Sequence, residues 1–337
     1  MNLPGDIVFH IFKYLNLKEI IMLSRTNKYM YTLYKKNRDF IYKTIINRHF
    51  PSCDYDMAYE LFKNYLNNNK FNYHYLDAIE SPNIILIQVL YWIGIDIDKH
   101  INGTTPLIHS INVGRFHNGN IPNITNIILD LGANINIKDN TNTTPLMFAL
   151  KMSTPIIINR ILDCDPDINV QNKDGNTTLM YSLRWSKPQI IKRILDYNPD
   201  INVQNFDGCN TPLMIALRHS KPQIIKRILN LNQDINVRDI NDNTPIMSAL
   251  KFSTPQIINE ILDLEPDINR INIHGFTPLM FALHYSTPEI INRILDMNPK
   301  IDTKTIYGYT PLMIAQEMST PKIIDRLKNI YRDINGV

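Results

Sequence analysis

Threonine–proline pairs place Pro106, Pro145, Pro212, Pro245, Pro278 and Pro311, and Thr178 once takes the proline's place. From 145 onward the steps are 33, 34, 33, 33 and 33 residues. Ten residues behind each of these six positions stands the proline of a Ser-x-Pro triplet: Pro155, Pro188, Pro222, Pro255, Pro288 and Pro321. A chain with this period stacks small supersecondary units, each burying its apolar side against its neighbours, and does not gather around one centre. Function is then expected on an extended surface that meets a partner.

One repeat shows the local logic. Thr211 is a natural N-cap, and Pro212 suits the first helical position, where its missing N–H costs nothing. Leu213, Ala216 and Leu217 recur at i, i+3 and i+4, giving one buried helical face. Ser220-x-x-Gln223 reads as a capping box that starts a second helix, as do Ser186/Gln189, Ser253/Gln256 and Ser286/Glu289. That helix carries Ile224, Ile225, Ile228 and Leu229, a stripe wide enough to meet both neighbours. An extended stretch follows and turns at Asp-Gly, as at Asp174-Gly175 and Asp207-Gly208.

Two short helices with Thr-Pro-Leu-x-x-Ala at this period resemble the ankyrin repeat. The resemblance implies an all-α solenoid of helix-turn-helix repeats with short hairpin loops. It covers residues 102–337 with about seven repeats, the first interrupted around Gly114–Asn120 and the last truncated, beginning at Tyr307. Residues 73–101, with Ser81-Pro82-Asn83-Ile84-Ile85, resemble a degenerate repeat acting as an N-terminal cap. The family's usual His after Thr-Pro-Leu is replaced by Met147, Met180, Met214, Met247, Met280 and Met313. Met packs but cannot bond neighbouring loops, so looser loops are expected.

Residues 1–50 do not repeat and carry nine Lys and Arg against three Asp and Glu, while the remaining residues are net −3. Leu3-Pro4-x-Asp6-Ile7, Ile11-Phe12-x-Tyr14-Leu15 and Ile20, Leu23, Leu33 read as three short helices, which alone would serve as a solenoid cap. The spacing also resembles an F-box without a gap, although the bulky Trp usual near its end falls at Met30. The resemblance implies a three-helix module docking on the Skp1 adaptor of a cullin–RING ubiquitin ligase through Leu3, Pro4, Ile7, Ile11, Leu15 and Leu17. Residues 51–72 read as a helical linker. An F-box joined to Ile- and Asn-rich repeats resembles the repeat families of large DNA viruses.

In the ankyrin family the first helices and loop tips line a binding groove. Here one row is Lys151, Arg184, Arg218, Lys251, His284, Glu317, and beside it runs Met152, Trp185, His219, Phe252, Tyr285, Met318. Lys151, Arg184, Trp185, Arg218, Lys251, Phe252 and Tyr285 are the candidate target-binding residues, suited to an acidic segment with apolar anchors. The alternative is that the larger side chains pack between repeats and the cations are solvated.

Nothing in the chain points to catalysis or a cofactor: there is no phosphate-cradling glycine loop, zinc-spaced Cys/His cluster or nucleophile elbow. His100, His109 and His117 are close in sequence but fall in the irregular first repeat. Lys35-Lys36-Asn37-Arg38 with nearby tyrosines is a weak nucleic-acid candidate against a net charge of only +3. Three scattered cysteines fit reduced thiols in an intracellular, soluble protein. The longest apolar run, Ile84–Ile95, is too short to span a bilayer.

Overall fold

The computed structural model describes residues 96–114, 124–152, 155–231 and 233–335, together with positions 76, 78–80, 87 and 91. The fold is all-α, with fourteen helices among the described residues. It divides into two compact units, residues 1–166 and 167–337. In the first lie α1 (Pro106–Gly114), α2 (Ile124–Asp130), α3 (Pro145–Met152) and α4 (Pro155–Leu162). The second holds five helix pairs: α5 (Thr178–Trp185) and α6 (Pro188–Leu195), α7 (Pro212–His219) and α8 (Pro222–Leu229), α9 (Pro245–Phe252) and α10 (Pro255–Leu262), α11 (Pro278–Tyr285) and α12 (Pro288–Asp296), α13 (Pro311–Met318) and α14 (Pro321–Asn335). Within the second unit each first helix packs on the next first helix, and each second helix on the next second helix.

The helix starts follow the threonines. The side chains of Thr177, Thr211, Thr277 and Thr310 accept from the N–H of Met180, Met214, Met280 and Met313. An eight-residue helix is too short to stand alone, so burial must hold it. Leu213, Ala216 and Leu217 are buried, as are Ile224, Ile225, Ile228 and Leu229 on the partner helix. Each fully buried aliphatic side chain is worth roughly 1.5–3 kcal/mol.

The serine capping boxes do not form. Ser186, Ser220, Ser253 and Ser286 are C-caps of the first helices, donating their backbone N–H to the helix they end. Their hydroxyl oxygens are buried with no hydrogen-bond partner. The N-cap falls one residue later, at Lys187, Lys221, Thr254 and Thr287, because proline takes the first helical position and holds the residue before it extended. The serine sits one residue too early to reach the orphan N–H groups.

Loops are not left loose by the missing His. The Phe206 N–H donates to the Asp174 carbonyl at 2.7 Å, Ile240 to Gly208 at 2.9 Å, Ile273 to Asn241 at 3.1 Å and Ile306 to His274 at 3.0 Å. Asparagines add a second tie: Asn205 Nδ2 donates to Asn176 Oδ1 at 3.0 Å, and Asn272 Nδ2 to Asn243 Oδ1 at 2.9 Å. At the other end of each repeat Asn169, Asn202, Asn236 and Asn269 accept from the backbone N–H of Asp200, Asp234, Asp267 and Lys300. Met147, Met180, Met214, Met247 and Met280 meanwhile fill the interior, all at 0% exposure.

Second helices are clipped by ion pairs one period apart: Arg160 with Asp130, Arg227 with Asp196, Arg293 with Asp263 and Arg326 with Asp296. The recurring carboxylates thus pair with arginines, and each arginine reaches back to the preceding repeat. Gly175 and Gly275, at φ +75° and +77°, let the next loop approach closely. A Cβ there would lie 2.8 Å from the Phe206 nitrogen and 2.7 Å from the Lys304 oxygen.

Candidate protein-binding surface

The candidate surface grows from the last turn of the first helices. In α7, α9 and α11 a buried Leu/Ile-x-x-Ala-Leu face fixes the helix, and in α5 Ser182 takes the Ala position, so the next two residues point away from the core. In the second unit Trp185, Phe252 and Tyr285 are 44%, 50% and 53% exposed. The alternative in which the large side chains pack between repeats is therefore not met at these three positions.

Cations and rings alternate along the row. Lys251 Nζ lies 5.2 Å from the Phe252 ring centre and 5.7 Å from that of Tyr285. The Arg218 guanidinium lies 6.0 Å from the Phe252 ring centre. Such contacts hold a cation over a ring at about 0.5–1 kcal/mol each at exposed sites. Tyr181 and Trp185 stand 6.0 Å apart, and Phe281 lies 6.1 Å from Tyr285. Phe276 and His284 join this second cluster.

Arg218 is not an open charge. Its Nη2 pairs with Asp239 Oδ2 at 3.1 Å, and Asp239 is buried while also accepting from the N–H groups of Asn241 and Asn243. Asp139 accepts in the same way from Thr141 and Thr143, and asparagines stand at the corresponding positions 172 and 205. Arg184 is half-buried, and Lys151, at the end of α3, is exposed in the first unit. His219 sits beside the arginines: burial, then the charges of Arg184 and Arg218, hold its pKa below the ordinary 6.5. The surface around it is thus electropositive with a neutral imidazole at pH 7.

Loop tips add exposed apolar groups, Phe206, Ile240, Ile273, Ile306, Tyr307 and Tyr309. Elsewhere, a cleft of about 380 Å³ lies between the starts of α6 and α8, lined by Pro188, Gln189, Lys192, Lys221, Pro222 and Gln223. Among the described residues no group of three or more His, Cys, Asp or Glu is placed to hold a metal ion, and His109 bonds Glu80 at 3.1 Å. Cys164 and Cys209 are free thiols. No helix among the described residues is long and apolar enough to cross a membrane. Leu3, Pro4, Ile7, Ile11, Leu15 and Leu17 lie outside the described residues, as do the linker 51–72 and the basic stretch 35–38.

A family model described as ankyrin repeats, three copies, matches in overlapping registers at 114–205, 152–239, 186–272, 213–305 and 246–336. The chain belongs to the ankyrin-repeat family. An F-box domain model matches residues 1–41. Among solved structures, the ankyrin repeat domain of Bcl-3, described as a unique member of the IkappaB protein family, aligns with TM-score 0.51 and 19% identity. That alignment covers 66% of this chain and 97% of the other. It supports the ankyrin fold. No curated protein matches the chain.

Proposed function

We propose that this protein is a recruiting adaptor for a ubiquitin ligase. Residues 1–41 attach it to a Skp1-type adaptor of a cullin–RING ligase, with Leu3, Pro4, Ile7, Ile11, Leu15 and Leu17 as the buried anchors. The ankyrin surface holds a target protein, with Arg184, Trp185, Arg218, Lys251, Phe252 and Tyr285 as contacts and Lys151 adding a further cation. The protein performs no catalysis; it raises the effective concentration of the target near the ubiquitin-charged enzyme. It works inside the cell, where the ligase resides.

The observation that carries this reading is the joining of an F-box match to repeats whose first helices expose aromatic side chains beside cations. Exposed Trp and Tyr next to Arg are the residue types that dominate protein interfaces. The electropositive setting of His219 favours an acidic target segment.

The test is co-expression with Skp1, wild type against a Leu3→Asp/Ile11→Asp double variant, followed by size-exclusion chromatography. A complex formed by the wild type and lost in the variant supports the ligase link. No complex with either, while the repeats stay folded, leaves the second reading: an ankyrin protein that binds or sequesters a target with no ligase attached.

A further inference from the structure

In the second unit one ring stands at the end of the first helix in each of four successive repeats: Trp185, His219, Phe252 and Tyr285, all exposed. The residues before them are Arg184, Arg218, Lys251 and His284. These groups form one unbroken run. The charges of Arg184 and Arg218 both bear on His219. The Arg218 guanidinium reaches the Phe252 ring, and Lys251 Nζ stands near both Phe252 and Tyr285.

Helix packing sets the step from ring to ring. The helices α5, α7, α9 and α11 pack side by side in that order, and packed helices lie about 8–10 Å apart. A single ammonium, 5.2 Å from one ring centre and 5.7 Å from the next, fits a step of that size. A ligand that meets every ring alike must repeat at the same interval. A β-strand brings one side back at about 6.6 Å and again at about 13 Å, missing the step. An α-helix returns only after seven residues and about 10.5 Å, turning about 20° further each time. A polyproline II segment has three residues per turn and returns to the same side after about 9.3 Å. Its backbone needs no partner strand, and no strand is present among the described residues.

We propose that the target segment is an acidic polyproline II stretch of about ten residues, with proline at every third position and carboxylates between. This rests on the reading of the surface as the target site and names the chemistry of what it holds. The four rings meet residues i, i+3, i+6 and i+9 of the segment. Proline rings lie on Trp185, Phe252 and Tyr285, since proline-rich segments dock on exposed aromatic rings. A conformer that is already formed loses little freedom on binding. Charge complementarity makes the segment acidic: the carboxylates face Arg184 and Lys251. Arg218 contributes less, because Asp239 already holds it.

The experiment is fluorescence anisotropy of labelled twelve-residue peptides with the full chain, and circular dichroism on every variant. Four Pro-Glu-Ser triplets and four Pro-Ser-Glu triplets are the two probes, one for each chain direction. Three Pro-Glu-Ser-Ser quartets keep the length but put proline out of step, and four Pro-Lys-Ser triplets reverse the charge. One acidic triplet probe is expected to bind with Kd below about 1 mM, and more weakly as salt rises. The quartet and lysine peptides should bind at least fivefold more weakly. Trp185→Ala, Tyr285→Ala and Lys251→Glu should each weaken the triplet probe by about tenfold. Failure of both acidic triplet probes to bind overturns the proposal, and so does equal binding of the quartet peptide. An acidic helical peptide that binds more tightly than either, and is lost in Trp185→Ala, overturns the polyproline II conformer while the surface stays a target site. The Skp1 co-expression reads the ligase link separately, so a failed register and a failed adaptor are told apart.

Discussion

Glu265 ends α10 with φ +52°, a left-handed backbone where most side chains crowd the following carbonyl. Gly132 and Asn298 hold equivalent helix ends, residue types that tolerate this conformation. Glu265→Gly is therefore expected to raise stability by about 0.5–1 kcal/mol, seen as a higher urea midpoint with unchanged slope. His219 gives a pH prediction. Its folded pKa is lowered, first by burial and then by Arg184 and Arg218, so the unfolded chain takes up its proton first as pH falls. The stability tied to this group is complete above about pH 6.5 and is lost below it. Proton NMR titration of the imidazole should give a value below 6.5 that rises in Arg184→Gln. A carboxylate-bearing target seated between Arg184 and Arg218 should raise it too, so such binding takes up protons as pH falls through the imidazole's range.

Individual helices are held by features that the repeat wording both reveals and disguises. The Thr-Pro starts, the Leu-x-x-Ala-Leu face and the Ile-Ile-x-x-Ile-Leu stripe were legible because each is a local rule with a helical period. The serine boxes misled because Ser220-x-x-Gln223 has the right spacing while proline moves the helix start by one residue. This leads to a prediction opposite to that of a capping role. Ser220→Ala should leave stability unchanged or raise it by up to about 1 kcal/mol, since a buried, unpartnered hydroxyl is removed. Loss of a true N-cap would instead cost about 1 kcal/mol. By contrast Asn205→Ala should cost about 1–3 kcal/mol, because Asn205 also accepts from the Asn210 N–H at 2.7 Å inside the loop. Thermal or urea unfolding of the two variants separates them. The asparagine ties and the Arg218–Asp239 pair were not legible. Each joins groups 21 to 32 residues apart, and only the stacking register decides which polar side chains meet.

At the level of the whole molecule, stability is a sum of repeats and the junctions between them, so a single junction can be broken selectively. Gly175→Val places a branched side chain on a left-handed backbone and against the next loop at once. It should cost more than 2 kcal/mol and broaden or split the unfolding transition, as a weakened junction uncouples its neighbours. Gly308→Val has the same backbone penalty but open space, so it should cost less and leave the transition single. Differential scanning calorimetry on the pair reads both outcomes. The site was legible only in part at this scale. Periodicity placed Arg184 and Lys251 in one row and Trp185, Phe252 and Tyr285 in the row beside it, but exposure and charge pairing depend on loops contributed by the following repeat.

Thioether sulfur occupies the place where the family keeps an imidazole in six of the repeats, Ile108 standing there in the first, and this gives each of the six a chemical reporter. Met180, Met214, Met247 and Met280 are sealed while their junctions are closed. Peroxide converts methionine to its sulfoxide only where sulfur is reachable, and the polar product does not fit back into an apolar seat. Dilute peroxide followed by peptide mass analysis would thus time the opening of each junction separately. Met313 would react early, and the buried four would react in the order in which the stack comes apart. For a protein built this way, oxidative stress acts as a zipper pull, since each oxidised seat keeps its junction from closing again.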